Sequence, residues 1–192
     1  MTKILGISGS LRKGSFNTML LREAARVAPE AIEFKTGAIK GIPLYDGDLE
    51  TAGGLPPAAQ ELKACVMDCD GLLIVTPEYN NSLPGVLKNA IDWLTRPPAD
   101  VPRVFGNRPV AIIGASPGNF GTILAQEAWL PVLKTLGTRP WFGGRLMVSR
   151  AGAAFNDAGQ LADEAVTGQL KKFMAGFVQF VESNRAGQAR AR

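Results

Sequence analysis

Short apolar runs alternate along this chain with longer stretches of helical period. Residues 3–8 (KILGIS) read as a strand. Residues 17–28 (NTMLLREAARVA) read as a helix with Leu20, Ala24 and Val27 on one face and a stop at Pro29. A weaker strand follows at 31–36. Five glycines and two prolines between residues 37 and 56 predict irregular chain, and residues 57–68 predict a helix with Pro57 in its first turn. Residues 71–76 (GLLIVT) are apolar without polar alternation, the pattern of a parallel strand covered on both faces.

The second half repeats the arrangement. Residues 84–95 (PGVLKNAIDWLT) gather Val86, Leu87, Ala90, Ile91 and Leu94 on one side of a helix closed by Pro97 and Pro98. Residues 110–115 (VAIIGA) form the next strand. A helix over 122–136 accommodates Pro131 only by kinking or restarting there. A last strand is expected at 142–148, and a closing helix over 161–181 turns Leu170, Phe173, Phe177, Val178 and Val181 inward. This alternation predicts βαβ units and an α/β fold, a three-layer, doubly wound, five-stranded parallel sheet.

In such sheets ligands bind beyond the carboxyl ends of the strands. Three strands run into polar loops marked by glycine or proline: GSLRKGSFN at 9–17, TPEYNNSLPG at 76–85 and ASPGNFGT at 115–122. The first suits a phosphate, which needs several donors aimed at one place near a helix N-terminus. Gly9 and Gly14 allow close backbone approach, Ser10, Ser15 and Thr18 offer hydroxyls, Asn17 can cap or donate, and Arg12 adds charge. Gly9 and Gly14 have Walker A spacing, yet Ser15 stands at the lysine position and Phe16 at the Mg-ligating position, which disfavours triphosphate hydrolysis. The dinucleotide pattern G-x-G-x-x-G is also missed. What remains is a cradle for a terminal monophosphate, or a polar loop that only caps a helix. In the second loop Tyr79 offers a flat amphipathic wall, and exposed amides of the turn can donate to a planar heterocycle. Gly118 and Gly121 let backbone approach in the third loop, where Phe120 can cap a ring.

Composition narrows the chemistry. The chain has 192 residues, 46% of them hydrophobic, enough for one domain with its own core. We place that domain at residues 1–183, with 184–192 (NRAGQARAR) as a flexible basic tail. The net charge of +4 comes largely from Arg185, Arg190 and Arg192 in that tail, so no basic stripe favours nucleic acid. No apolar run approaches the length that crosses a bilayer, and no signal-peptide pattern opens the chain. The expectation is a cytoplasmic protein with no membrane or nucleic-acid partner. Histidine is absent, which removes Ser-His-Asp and Cys-His catalysis. Cys65 and Cys69 alone do not complete a metal site, and none is expected. Glu78 and Asp92 form a conceivable acid/base pair, although Asp92 beside Trp93 reads more naturally as a helix surface group. Without an evident nucleophile or metal cluster, the chemistry is most simply borrowed from a cofactor.

At this point the sequence resembles the NADPH-dependent FMN reductase family, flavodoxin-like enzymes that include bacterial quinone and chromate reductases. The likeness lies in GSLRKGSFN, similar to the family's G-S-x-R-x-x-S-x-N phosphate loop, in TPEYNNSLPGVLKNAIDW, similar to its flavin-ring loop and following helix, and in SPGNFGT. The resemblance implies non-covalent FMN. Ser10, Arg12, Ser15, Asn17 and Thr18 would take its phosphate; Pro77, Glu78, Tyr79 and Asn80 would meet the ribityl chain and ring edge; Ser116, Gly118, Asn119 and Phe120 would lie nearby. It implies no catalytic side chain, since flavin N5 carries the hydride, with NADPH or NADH as co-substrate and a small quinone, chromate or related acceptor. It also implies a homo-oligomer, dimer or tetramer; Trp93, Leu94, Phe105, Trp129 and Trp141 are candidates for its interface or, alternatively, fill the space between helices and sheet. Two other readings share parts of this pattern: a flavodoxin-like electron carrier, and a hydrolase of a phosphorylated small molecule.

Overall fold

A computed structural model describes the backbone of residues 1–190 and the side chains of residues 1–187. Strand β1 (Thr2–Ser8) leads into α1 (Phe16–Val27) and β2 (Ile32–Gly37). Helices α2 (Gly47–Gly53) and α3 (Pro57–Asp68) precede β3 (Gly71–Val75). Then come α4 (Gly85–Leu94), a short 3₁₀ turn, α5 (Val101–Val104), β4 (Pro109–Ala115) and α6 (Ile123–Thr135). Two short strands, β5 (Arg139–Pro140) and β6 (Met147–Val148), a turn of helix α7 (Ala151–Ala154) and the long α8 (Glu164–Arg190) complete the order. The strands lie β2-β1-β3-β4-β5, all parallel, with β6 on the same side of β4 as a continuation of the fifth position. This is the doubly wound α/β fold with helices on both faces.

Successive strand residues feed opposite layers, as a pleated strand requires. Ile4, Leu73, Val75, Ala111 and Ile113 join α1 and α8 in one core, while Leu5, Ile7, Leu72, Ile74 and Val110 join α3, α4 and α6 in the other. A strand buried on both sides has no polar face to show, which explains the unbroken apolar runs.

The fifth strand departs from the expected 142–148. It is split: Arg139 and Pro140 pair with the start of β4, and Met147 and Val148 with its end. Trp141 turns inward between them to pack on Phe173 and Phe177, ring centroids 4.8 and 5.8 Å away. Gly143 and Gly144 lie against the same indole so closely that a Cβ at Gly143 would stand 2.5 Å from its Nε1. The aromatic packing draws this stretch out of the ladder. Pro131 sits within a continuous α6, with no restart. The segment after β2 is less irregular than expected. Besides α2, the Pro43 carbonyl accepts from Trp93 Nε1 and Asn89 Nδ2, and Tyr45 packs edge-on to Trp93. The last helix passes residue 183: Asn184 is buried, accepts from Arg139 and donates to the Asn107 carbonyl. The remainder of the predicted tail, from residue 188, lies outside the described side chains.

The aromatic candidates for an interface are corrected here. Trp93, Leu94, Phe105 and Trp129 are fully buried, and Trp141 is half-buried in the core. Both fully buried indoles keep their N–H satisfied indoors, Trp129 on the Thr76 hydroxyl at 3.1 Å. Cys65 and Cys69 are free thiols, and burial pushes the Cys69 thiol up from its ordinary pKa, against a partly offsetting Arg108.

Surface carboxylates give the fold an acid limit. Lys3 and Lys35 hold the Asp68 carboxyl below its usual range, Arg96 does the same for Glu50, and Lys63 for Asp100. Each has a depressed pKa in the folded state, so its contribution is present above the unfolded carboxylate pKa and is lost as pH falls through the lower folded value. Urea midpoints should therefore hold steady between about pH 6 and 8 and decline below roughly pH 4. A midpoint that rises on acidification would contradict these pairings.

Candidate functional site

The three loops begin side by side at the carboxyl edge of the sheet. The Gly9 amide donates to the Val75 carbonyl at 2.9 Å, and the Thr76 amide to Ile113 at 2.9 Å, so β1, β3 and β4 hand over to their loops in adjacent positions. Gly9 is required there: a Cβ would lie 2.8 Å from Leu87 Cδ2, 2.9 Å from Pro77 Cδ and 3.2 Å from Pro84 Cγ. The first two loops touch at this glycine.

In the first loop Ser15 caps α1, its Oγ accepting from the amides of Asn17 and Thr18 at 3.2 and 3.3 Å. No acidic residue lies in the first turn, so the positive end of the helix faces the loop uncompensated. Ser10 Oγ accepts from the Arg12 amide, Arg12 Nη2 donates to the Gly14 carbonyl at 3.0 Å, and the Ser8 and Thr18 hydroxyls lie 3.0 Å apart. Arg12 is exposed and Ser10 and Thr18 are half-buried, so an anion can reach them. Asn17 is placed differently. Its buried carboxamide donates to the Ala115 carbonyl at 2.8 Å and accepts from the Ala115 amide at 2.9 Å. It clamps the first loop to the end of β4, and both ends of the carboxamide are occupied.

The second loop is a tight turn. Tyr79 and Ser82 exchange backbone hydrogen bonds at 3.0 and 3.1 Å around Asn80 and Asn81, whose φ values of 51° and 60° are what a two-residue turn of this hand needs. The turn holds Tyr79 and Asn80 exposed, while Pro77 is buried beneath. Glu78 points sideways: one carboxylate oxygen accepts from the amides of Leu124 and Ala125 at 2.9 and 3.0 Å. Thr122, the N-cap of α6, makes no side-chain cap of its own. Glu78 thus caps a helix from another segment and ties the second loop to the third.

The third loop is braced from behind. Ser116 hydrogen-bonds the Gly121 carbonyl through its hydroxyl, and the Gly118 carbonyl accepts from the Arg150 amide at 2.9 Å. Asn119 Oδ1 accepts from Arg150 Nε at 2.9 Å, and Phe120 is left exposed. Arg150 carries no sequence signal for this role. Its backbone, at φ 47°, takes a left-handed conformation just before α7.

The acid/base pair considered from sequence does not form a working unit: Glu78 serves α6, and Asp92 is ion-paired with Lys88 one helical turn away at 2.7 Å. Removing the Glu78 cap should cost about 1 kcal/mol. Glu78→Ala is expected to lower the urea midpoint accordingly, with Glu78→Gln falling between it and the parent; an unchanged midpoint for Glu78→Ala would deny the cap.

An open doubly wound sheet, a helix N-terminus ringed with hydroxyls and an exposed tyrosine turn at one edge define a flavodoxin-like mononucleotide-binding protein. The family model for NADPH-dependent FMN reductases matches residues 2–153, and the chain belongs to that family. It is 45% identical over 162 residues to an NAD(P)H-dependent FMN reductase of Pseudomonas aeruginosa, covering 84% of this chain and 85% of that protein. It is 38% identical over 183 residues to a 2-hydroxy-1,4-benzoquinone reductase of a Burkholderia species, covering 95% and 98%. Among solved structures, an NAD(P)H:acceptor flavoenzyme of Paracoccus denitrificans superposes with a TM-score of 0.85 at 33% identity, over 96% of this chain and 99% of that one.

Proposed function

We propose that this protein is an FMN-containing oxidoreductase that takes electrons from NAD(P)H and delivers them in pairs to a quinone or a related small acceptor. The observation that carries the reading is the convergence of the three loops at Gly9, Thr76 and Ala115, with an uncompensated helix N-terminus at one end and a flat tyrosine wall at the other. Bound FMN would supply a two-electron centre, chemistry that no side chain of this histidine-free chain provides.

The residues present suit that group. Ser10, Arg12, Ser15 and Thr18, with the α1 amides, would receive the phosphate. Asn17 would act through the clamp on Ala115, Pro77 as the buried floor of the second loop and Glu78 through the α6 cap. Tyr79 and Asn80 would border the ring, and Ser116, Gly118, Asn119 and Phe120 would line the opposite side. The open side of the Tyr79 turn gives nicotinamide and acceptor one face to use in turn, which predicts ping-pong kinetics. A homo-oligomer, dimer or tetramer, is supported by the exposed apolar set Phe120, Ile123, Leu124, Leu130 and Phe142 along and beside α6.

Two supports for a cytoplasmic soluble enzyme are the absence, among the described residues, of any helix long and apolar enough to cross a membrane, and the free thiols. The deciding experiment is rapid mixing of FMN-loaded protein with NADPH or NADH. Flavin absorbance should bleach and return on adding benzoquinone; no bleaching with either nicotinamide would sink the enzyme reading.

A further inference from the structure

Thr76 follows β3 directly and is fully buried, as is Trp129 on α6. The Trp129 Nε1–H donates to Thr76 Oγ1 at 3.1 Å, and Oγ1 donates in turn to the Pro77 carbonyl at 2.8 Å. The direction of this relay is fixed. An indole N–H can only donate, so the hydroxyl accepts there and spends its single proton on Pro77. In a buried chain of this kind each bond polarises the next. The same helix holds the following residue, because the Glu78 carboxylate accepts from the Leu124 and Ala125 amides. Helix α6 thus grips the Pro77–Glu78 peptide from both sides.

That peptide is trans, and a trans peptide carries its C=O and its N–H on opposite sides of one plane. With the carbonyl drawn in to the Thr76 hydroxyl, the Glu78 N–H is turned away from the interior. Among the described residues it has no hydrogen-bond acceptor, whereas the Thr76 and Tyr79 amides on either side donate to Ile113 and Ser82. Glu78 itself is half-buried at the rim of the second loop. We propose that Thr76 and Trp129 are positioning residues whose relay presents the Glu78 N–H, and not the Pro77 carbonyl, to the edge of the flavin ring and so favours reduced over oxidised FMN; this deepens the flavin reading above and rests on it. Reduction makes the ring richer in electrons. A donor fixed in advance is worth more to that form, and a carbonyl in its place would repel it.

The test uses Thr76→Val, which removes the hydroxyl, Thr76→Ser, which keeps it, Trp129→Phe, which removes only the indole donor, and the Thr76→Val/Trp129→Phe double variant. Each is titrated anaerobically with oxidised FMN and with dithionite-reduced FMN. Thr76→Val should lose about tenfold in affinity for reduced relative to oxidised FMN. For a two-electron couple that lowers the potential of the bound flavin by about 30 mV. Thr76→Ser should keep the parent's ratio, and Trp129→Phe should shift it the same way by less. Because Trp129 acts only through Thr76, the double variant should show the Thr76→Val ratio with no further loss; losses that add would mean two separate packing effects and would overturn the relay. Equal weakening toward both forms of FMN in Thr76→Val, or an unchanged ratio, would overturn it too. The parent supplies a measurement that needs no variant to fold: in isotope-labelled protein the Glu78 amide resonance should move on FMN binding and move further on reduction, and an amide that ignores both steps contradicts the proposal. If neither nicotinamide reduces the bound flavin, the oxidoreductase reading fails, whereas chemical reduction still decides the relay. A parent that binds neither form of FMN overturns both.

Discussion

Asn17→Ala is expected to lose roughly 3–5 kcal/mol of stability, because it strands two buried backbone groups at once. Ala115 is 2% exposed, and its amide and carbonyl both take the Asn17 carboxamide as partner. On the side of β4 that these groups face, β3 has ended at Val75, so no strand there offers a replacement. The melting temperature should fall on the order of 10 °C for a domain of this size. FMN should also bind more weakly, since the phosphate loop would lose its tie to the end of β4. Thermal melts of the apoprotein and an FMN titration check the two halves separately. A variant that melts within a degree or two of the parent would mean that the clamp contributes nothing.

Gly114→Ala should be at least as damaging, by about 3 kcal/mol or more, through overpacking. A Cβ at this position of β4 would stand 2.0 Å from Thr122 Oγ1 and 2.3 Å from the Thr76 carbonyl oxygen. Thr122 is fully buried at the start of α6, and the Thr76 backbone is held by its bond to Ile113, so neither can retreat cheaply. The strain would fall on the strand ends that launch the second and third loops, so flavin loading should suffer along with stability. Gly168→Ala on α8 is the matched control, with nothing within 4 Å of its Cβ, and should gain a few tenths to about 1 kcal/mol from helix propensity. Urea denaturation of both variants distinguishes the cases; equal behaviour would show that close packing at Gly114 is not what limits it.

Much of the architecture was legible before any coordinates, for reasons visible in particular residues. GLLIVT has no polar alternation because Leu72 and Ile74 face one core and Leu73 and Val75 the other. The helix predicted at 57–68 is observed at Pro57–Asp68, opened by its proline, because such signals are local. The fifth strand was misplaced because the residues between β5 and β6 are drawn off by Trp141, whose partners Phe173 and Phe177 lie on the last helix. Sequence left the large aromatics open between interface and interior for a similar reason: a tryptophan on a helix looks the same whether it meets solvent or the underside of a sheet.

The sequence by itself determined the order of strands and helices, the three loops at strand ends, the lack of a Walker lysine and the absence of histidine chemistry. All of these depend on residue identity or on spacing within a few turns of chain. Only the tertiary structure decided which polar groups are free to meet a ligand and which are already spent. Asn17 reaches Ala115 across 98 positions, and Glu78 reaches Leu124 across 46. A hydrogen-bonding group can satisfy only a limited set of partners, and no local pattern records who stands opposite once the sheet has closed.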